Sequence, residues 1–373
     1  MLFKDIPGLQ ELKDQLISAA DQNQVAHAQL FAGQPGCPNL AMAIAFATYL
    51  NCENRQPDGP CGRCAPCSKS LKHIHPDIHF VFPVCGTKTV VSKDARSRVF
   101  LKEWRQFIIA NPYGTVEEWT EAFGGQDKQA FISVEESREV IRDLSLMAFE
   151  ENYKIEIIWL PELMRKEGAN ALLKILEEPP GRTVFLLVSN HPDSLLSTIT
   201  SRMQYVFVRK FSDNEIKLYL TEKLGLDEVQ AAQLSNLADG DLHNALFLSQ
   251  NIEDDTHDWF REWMRLCFAK DLGQLVQFAD EFHAMNKVAR KSVLQYGINM
   301  LRESLVTMAA DSLCRLEGEE KKFVQKFSKI LSENKIIMMY EKINTSIYHL
   351  ERNANAKIKF LNLSVSISRI FNN

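Results

Sequence analysis

Four cysteines, Cys52, Cys61, Cys64 and Cys67, stand with eight, two and two residues between them. A Cys-x-x-Cys pair lets two sulfurs converge on one ion, and soft thiolates suit zinc or an iron–sulfur cluster. The four lie in a loop rich in proline and glycine: Pro57, Gly59, Pro60, Gly62 and Pro66. Bacterial ferredoxins carry a Cys-Pro downstream of cysteines two apart. Here Ser68-Lys69-Ser70-Leu71 follows, and the fourth cysteine lies upstream. Four protein ligands leave no open coordination position, so the site reads as structural. Cys37, Cys85, Cys267 and Cys314 read as small packing residues. His73, His75 and His79 have neither paired cysteines nor helical spacing, and read as strand and loop histidines.

A second stretch has the layout of phosphate chemistry without its residues. A short strand, His27–Gly33, leads into Gly33-Gln34-Pro35-Gly36-Cys37-Pro38-Asn39-Leu40, and a helix follows to about Leu50. A phosphate loop needs glycine, four residues, glycine, lysine, then serine or threonine. Pro38 stands at the second glycine, Asn39 at the lysine and Leu40 at the magnesium-holding hydroxyl. Pro38 also lacks an N–H with which to cradle phosphate. Whether this is a plain strand-to-helix turn or a phosphate loop that has lost its function, the expectation is no ATP chemistry.

The elements that must position these residues centre on Lys154–Met203. Ile155–Leu160 is a short apolar run of the kind that forms a buried strand. A helical pattern follows Pro161, with Leu163, Met164, Ala171, Leu172, Ile175 and Leu176 on one face. Pro179-Pro180-Gly181 stops it. Thr183–Val188 is a second buried strand, and a short helical piece ends in Thr200-Ser201-Arg202-Met203. Two buried strands joined by a crossover helix make a βαβ unit of a parallel sheet. Trp159-Leu160 and Ser189-Asn190 fall at strand ends, where such sheets bind ligands.

The run Gly168-Ala169-Asn170-Ala171-Leu172-Leu173-Lys174-Ile175-Leu176-Glu177-Glu178-Pro179-Pro180, followed by a strand and then Ser201-Arg202, resembles the clamp-loader branch of the AAA+ ATPases. The resemblance implies an α/β fold: an AAA+ P-loop-type parallel-sheet domain with a zinc module, a small helical lid domain and a C-terminal all-helical collar domain. It implies an acidic Asp-Glu motif at the end of the strand before the helix; counting back from Asn170, those positions hold Trp159 and Leu160. Neither can organise magnesium or an attacking water. Glu162 lies nearby, displaced by two residues and after a proline, and reads as surface. The lid motif of the family has an arginine at the nucleotide; in Gly240-Asp241-Leu242-His243-Asn244-Ala245-Leu246 that place is His243. Ser201-Arg202 is retained. It implies an arginine presented in trans to ATP in a neighbouring subunit, with Ser201 orienting its loop. A zinc module at this place also resembles clamp-loader subunits, favouring one structural zinc on the four cysteines.

The domain expectations are residues 1–208 for the α/β domain, with the zinc module at about 51–70 and an insertion at about 84–130. The lid spans 209–250 and the collar 251–373. The insertion exceeds the usual short connection by roughly forty residues. It holds a strand-like Lys88-Thr89-Val90-Val91 and a helix around Val99–Ala110, and Trp104, Phe107, Tyr113, Trp119 and Phe123 are candidates for a satellite core. Lys93, Arg96, Arg98, Lys102 and Arg105 form a basic cluster, which more commonly means a solvated face than a DNA contact. Ser133 and Glu136 fit a capping box opening the next helix. Strand Gln204–Val208 and a helix start at Ser212–Glu215 complete this part. Beyond Leu275 there are no prolines and two glycines, Gly297 and Gly318, and stripes such as Leu294, Ile298, Leu301 and Leu305 suit a helical bundle.

The 373 residues suffice for two or three domains. With 24% charged and 45% hydrophobic residues the composition is that of a soluble globular protein, and a net charge of −5 argues against an electrostatic DNA binder. No apolar run approaches the roughly 20 residues of a membrane helix, and Met1–Asp5 lacks the form of a signal peptide. The cytoplasm is the expected compartment, and eight cysteines there imply metal ligands or buried thiols rather than disulfides. The resemblance implies a non-hydrolysing, delta-prime-type subunit of the clamp loader that serves DNA polymerase III. This chain would bind no ATP. Its partners would be gamma/tau- and delta-type subunits and, through the complex, the sliding clamp and primed DNA. Two rivals stand beside it: an active gamma/tau-type ATPase, opposed by Asn39, Trp159 and Leu160, and a stand-alone zinc-containing nucleic-acid binder.

Overall fold

The computed structural model describes residues 1–125, 128–144, 153–250, 255–310, 313–316, 318–352 and 354–372. The chain divides into two compact units. One comprises Met1–Tyr219 with Gly240–His243; the other comprises Leu220–Asp239 with Asn244–Asn373.

The first unit is built on a parallel sheet. In chain order its elements are α1 (Gln10–Asp21), β1 (Ala28–Ala32), α2 (Asn39–Leu50), α3 (Ala65–Leu71), β2 (Ile78–Val81), α4 (Leu101–Ala110), α5 (Val116–Ala122), α6 (Val134–Leu144), β3 (Lys154–Trp159), α7 (Lys166–Glu177), β4 (Thr183–Ser189), α8 (Ser197–Thr200) and β5 (Gln204–Phe207). The strand order is β2-β3-β4-β1-β5, every pair parallel. β1, β3 and β4 are buried along their whole length, which explains why they read as unbroken apolar runs. Helices α6 and α7 cover one face, where Val140, Leu172 and Leu176 pack on Leu30, Ile158 and Leu187. A side chain at Gly168 would meet Ser137 Oγ at 2.8 Å, so this glycine allows α7 to lie against α6. Helix α2 is buried on all sides, and Phe46 packs on Phe31 of β1.

Two local expectations are corrected. Lys88–Val91 forms no strand: Thr87 N–H donates to Val90 O at 2.9 Å and Thr87 Oγ1 accepts from Thr89 and Val90, closing a turn. The capping box at Ser133 is only half made. Ser133 Oγ accepts from Glu136 N–H at 3.2 Å, but the Glu136 carboxylate turns inward to Ser97 N–H at 2.9 Å. Burial holds that carboxyl above its usual range. The box at Ser212 is complete, with Glu215 reaching back to Ser212 N–H at 2.7 Å.

The second unit is helical. Its helices are α9 (Asp213–Leu224) and α11 (Leu242–Gln250), which both begin in the first unit, with α10 (Glu228–Ala238), α12 (Asp255–Ala269), α13 (Leu272–Ala284), α14 (Lys287–Ala309), α15 (Gly318–Ile330), α16 (Glu333–Glu351) and α17 (Ala356–Asn372). Phe282 stacks on Phe360 at 4.3 Å, and the Trp263 indole donates to Ser364 Oγ at 2.9 Å. Leu294, Ile298 and Leu301 are buried in this core, with Leu305 packed against it.

Candidate functional site

The turn after β1 is closed on itself. Gly33 N–H donates to Ser189 O at 3.2 Å and Cys37 N–H to Gln34 O at 3.0 Å. Asn39, at the lysine position, is buried and points sideways: its Nδ2 donates to Ser189 O at 3.0 Å and Asn190 Oδ1 at 2.9 Å. Its Oδ1 accepts from Leu40 N–H at 3.0 Å. A phosphate loop works through free N–H groups at a helix N-terminus. Here Pro38 has none, and those of Cys37 and Leu40 are engaged within the chain. Gly36 has a φ of +88°, and a β-carbon there would fall within 2.7 Å of the Asp241 carboxylate. The Asp241 carboxylate thus lies against the loop at Gly36, and Lys210 is near enough to act on Cys37.

At the end of β3, Trp159 and Leu160 are buried. The Trp159 ring lies 5.1 Å from Trp104 and 6.5 Å from Phe107. Leu160 takes the left-handed φ of +55° and donates its N–H to Val188 O at 2.8 Å. Glu162 is not simply surface. It is half-buried, and its Oε1 accepts from Asn190 N–H at 2.9 Å and His191 N–H at 3.2 Å, bracing the loop after β4. His243 Nε2 pairs with Glu118 Oε1 of α5 at 2.8 Å.

Ser201 and Arg202 follow α8. Arg202 is about one-third exposed and pairs with Glu177 at the end of α7. Its Nη1 donates to Thr198 O at 2.6 Å and to Ser201 Oγ at 3.4 Å. Strand register separates this arginine from the turn after β1. Gln29 lies beside Gln204 and Ala32 beside Phe207, so Arg202 precedes the start of β5 while Gly33 follows the end of β1. By this register the two levels differ by six residues, about 20 Å at ~3.3 Å per residue.

The four cysteine sulfurs all lie within 4.8 Å of one another. Cys52 to Cys64 and Cys61 to Cys67 are each 4.0 Å. A tetrahedral ion with Zn–S bonds of about 2.3 Å sets its sulfurs about 3.8 Å apart, so the set fits one ion. A disulfide, at about 2.05 Å, is not formed. Cys61 N–H points at Cys52 Sγ and Cys64 N–H at Cys61 Sγ, both at 3.4 Å, the kind of donor that supports a thiolate ligand. The N–H of Arg63, with that of Cys64, pulls the Cys61 thiol down to about 6, while burial pushes Cys52 and Cys67 up. The cluster can hold one metal ion. Among the described residues no second group of three metal-ligating side chains comes together, and the histidines do not form one. Burial pushes His73 down to about 3, leaving it neutral.

Residues 8–212 match the family described as DNA polymerase III, delta subunit. The chain belongs to that family. It is a member of the DNA polymerase III clamp-loader group of AAA+ proteins, and the parallel sheet, the helical second unit and the four-cysteine cluster fit that fold. It is 30% identical to DNA polymerase III subunit delta' of Yersinia pestis over 196 residues, 52% of this chain and 45% of that protein. It is 26% identical to DNA polymerase III subunit tau of Bacillus subtilis over 251 residues, 66% of this chain and 37% of that protein. The matched stretches thus span less than half of either relative. A solved structure of a DNA polymerase III gamma subunit-related protein from Thermotoga maritima is 15% identical, with a TM-score of 0.41 over 96% of this chain and all of that one.

Several residues at this clamp-loader site escaped the sequence reading. Glu118 was signalled by Thr115-x-x-Glu118, a complete capping box that also marks the unforeseen helix α5. Asp241 and Glu177 sit inside quoted motifs, but nothing in the sequence assigns Asp241 to Gly36 or Glu177 to Arg202. The basic cluster of the insertion is partly tied down: Arg98 pairs with Glu139 at 3.2 Å and Arg105 Nε donates to His73 O at 2.8 Å.

Proposed function

We propose that this chain is a non-hydrolysing, delta-prime-type subunit of the DNA polymerase III clamp loader, a stator that lends Arg202 to ATP bound by a neighbouring gamma/tau-type subunit. The observation that carries the reading is the register of β1 and β5. Arg202 stands at the opposite strand end from this chain's own phosphate-loop position, which supports a role toward a nucleotide held by another chain rather than its own. That own position offers few free donors, and Trp159 and Leu160 occupy the acidic places. A fixed guanidinium stabilises charge spreading over the γ-phosphate during transfer. Thr198, Ser201 and Glu177 hold the guanidinium in place.

In this reading, Cys52, Cys61, Cys64 and Cys67 hold one structural zinc, which fixes the loop between α2 and α3. Residues 1–208, 209–250 and 251–373 act as sheet domain, lid and collar. The delta- and gamma/tau-type subunits are the direct partners, the sliding clamp and primed DNA are reached through the complex, and the cytoplasm is the compartment. No helix among the described residues is long and apolar enough to cross a membrane.

The test is reconstitution of the loader with Arg202→Ala. The complex should assemble and lose hydrolysis at the one ATP site this chain faces, on the order of 10³-fold there. Arg202→Lys should rescue poorly, since an ammonium lacks the planar fork. Full clamp- and DNA-stimulated hydrolysis by an assembled Arg202→Ala complex would leave the chain a structural stator only.

A further inference from the structure

The insertion enters and leaves through one neck. Val84 and Phe131 exchange both backbone hydrogen bonds, at 3.1 and 3.0 Å, next to the end of β2. Beyond the neck, an aromatic cluster sits on the ends of β2 and β3. Trp104 stacks on Phe82 at 4.2 Å and lies against Trp159. The Trp119 ring meets Trp104 at 5.1 Å, and its indole donates to Pro83 O at 2.8 Å. Trp104 and Trp119 are fully buried. One turn of α5 carries both Trp119, in this cluster, and Glu118, paired with His243. Tyr113, just before α5, meets Phe211 edge-on at 5.9 Å. Two residues from His243, the Asp241 carboxylate covers Gly36.

We propose that the insertion is a built-in stopper: it seats its aromatic cluster on Trp159 and hands Glu118 to His243, holding the segment Gly240–His243 closed over the turn after β1 and shutting out nucleotide. The proposal rests on the reading of that turn as a former nucleotide site. It adds that the site is covered as well as stripped of its motifs. The stopper spans from Trp159 at the end of β3 to His243, two residues from the Asp241 carboxylate that covers Gly36. Buried aromatic side chains contribute heavily to a local core, so the cover is part of the fold rather than a loose flap.

The test restores the loop and then removes the cover. Magnesium-ATP is titrated calorimetrically into a chain carrying Pro38→Gly, Asn39→Lys and Leu40→Thr, with the insertion intact; no saturable binding is expected up to millimolar ATP. In a second variant with the same three substitutions, residues 86–129 are replaced by a Gly-Asn-Gly turn across the Val84–Phe131 bridge. Binding should then appear, on the order of 100-fold tighter, because an apparent affinity falls with the fraction of open molecules. Equal binding by both variants, or none by a folded second variant, overturns the stopper while leaving the trans role of Arg202 untouched. Should the shortened chain fail to fold, hydrogen exchange of the natural chain decides. Amides of α4 and α5 protected as strongly as those of β3 and β4 support the stopper; exchange at loop rates overturns it.

Discussion

Arg202 and Glu177 form an ion pair across the two ends of the clamp-loader signature, the glutamate on the last turn of α7 and the arginine just past α8. Both side chains reach solvent, so the pair is worth little to stability, ~0.5 kcal/mol. Its consequence is directional. The carboxylate engages Nε and Nη2 while Thr198 O and Ser201 Oγ engage Nη1, which fixes the plane of the guanidinium.

Glu177→Ala should therefore leave the chain folded with an unchanged thermal transition; under the proposed trans role of Arg202 it should also lower hydrolysis in the reconstituted loader on the order of tenfold at one ATP site, since misplacing a positioned group is costly. Glu177→Gln, which keeps an acceptor, should recover part of the rate. Full activity of the Glu177→Ala complex, alongside an inactive Arg202→Ala complex, would remove Glu177 from the positioning role.

The cysteine cluster predicts one zinc per chain by elemental analysis. Cys67→Ser should lose the ion and lower the thermal transition, because binding free energy at such a site is folding free energy. Cys67 is the sensitive choice: it is buried on α3 and ties that helix to the loop. Iron with acid-labile sulfide would refute the single-ion reading.

The natural chain should bind no magnesium-ATP at physiological concentration. Asn39 is already bonded to Ser189 and Asn190, so its amide is unavailable even as a weak substitute for lysine. Calorimetric titration checks this, and micromolar saturable binding would contradict it.

Much of the fold was legible because its cause is local. The buried strands β1, β3 and β4 are apolar runs, and α7 ends where Pro179-Pro180-Gly181 forces it to. The errors arose where a side chain chose a distant partner over a near one. Glu136 fits a capping box, yet Ser97, thirty-nine residues away, takes its carboxylate. Val90 and Val91 carry strand propensity, but Thr87 Oγ1 offers a closer bond. The cysteine set was readable from spacing alone. Glu118 and His243 were not, since 125 residues separate a pair that only the folded chain brings together.

A last prediction concerns Glu156, buried in mid-β3 opposite His79 of β2 and Phe185 of β4. Burial pushes its carboxyl up to about 8; Asp143 and Glu136 add to the effect and Lys154 opposes it. In the unfolded chain a glutamate titrates near 4.3. The native state therefore holds this proton across a range in which the unfolded state has released it. The stability Glu156 contributes is fully present below about pH 4.3 and is lost at up to ~1.4 kcal/mol per pH unit until the folded group ionises near pH 8. Glu215 has the opposite sign. Burial raises its carboxyl, but Arg209 and the N–H groups of Ser212 and Leu9 outweigh that and bring it to about 2. Its contribution is present above about pH 4.3 and disappears as the pH falls toward 2. Urea unfolding midpoints of the natural chain and of Glu156→Gln, measured from about pH 5 to about pH 8, should diverge as the pH rises, with the variant the more stable. The neutral amide has no proton to lose and removes that part of the slope. Parallel curves for the two proteins would mean that Glu156 is ionised in the fold and finds its compensation within β3 and its neighbours.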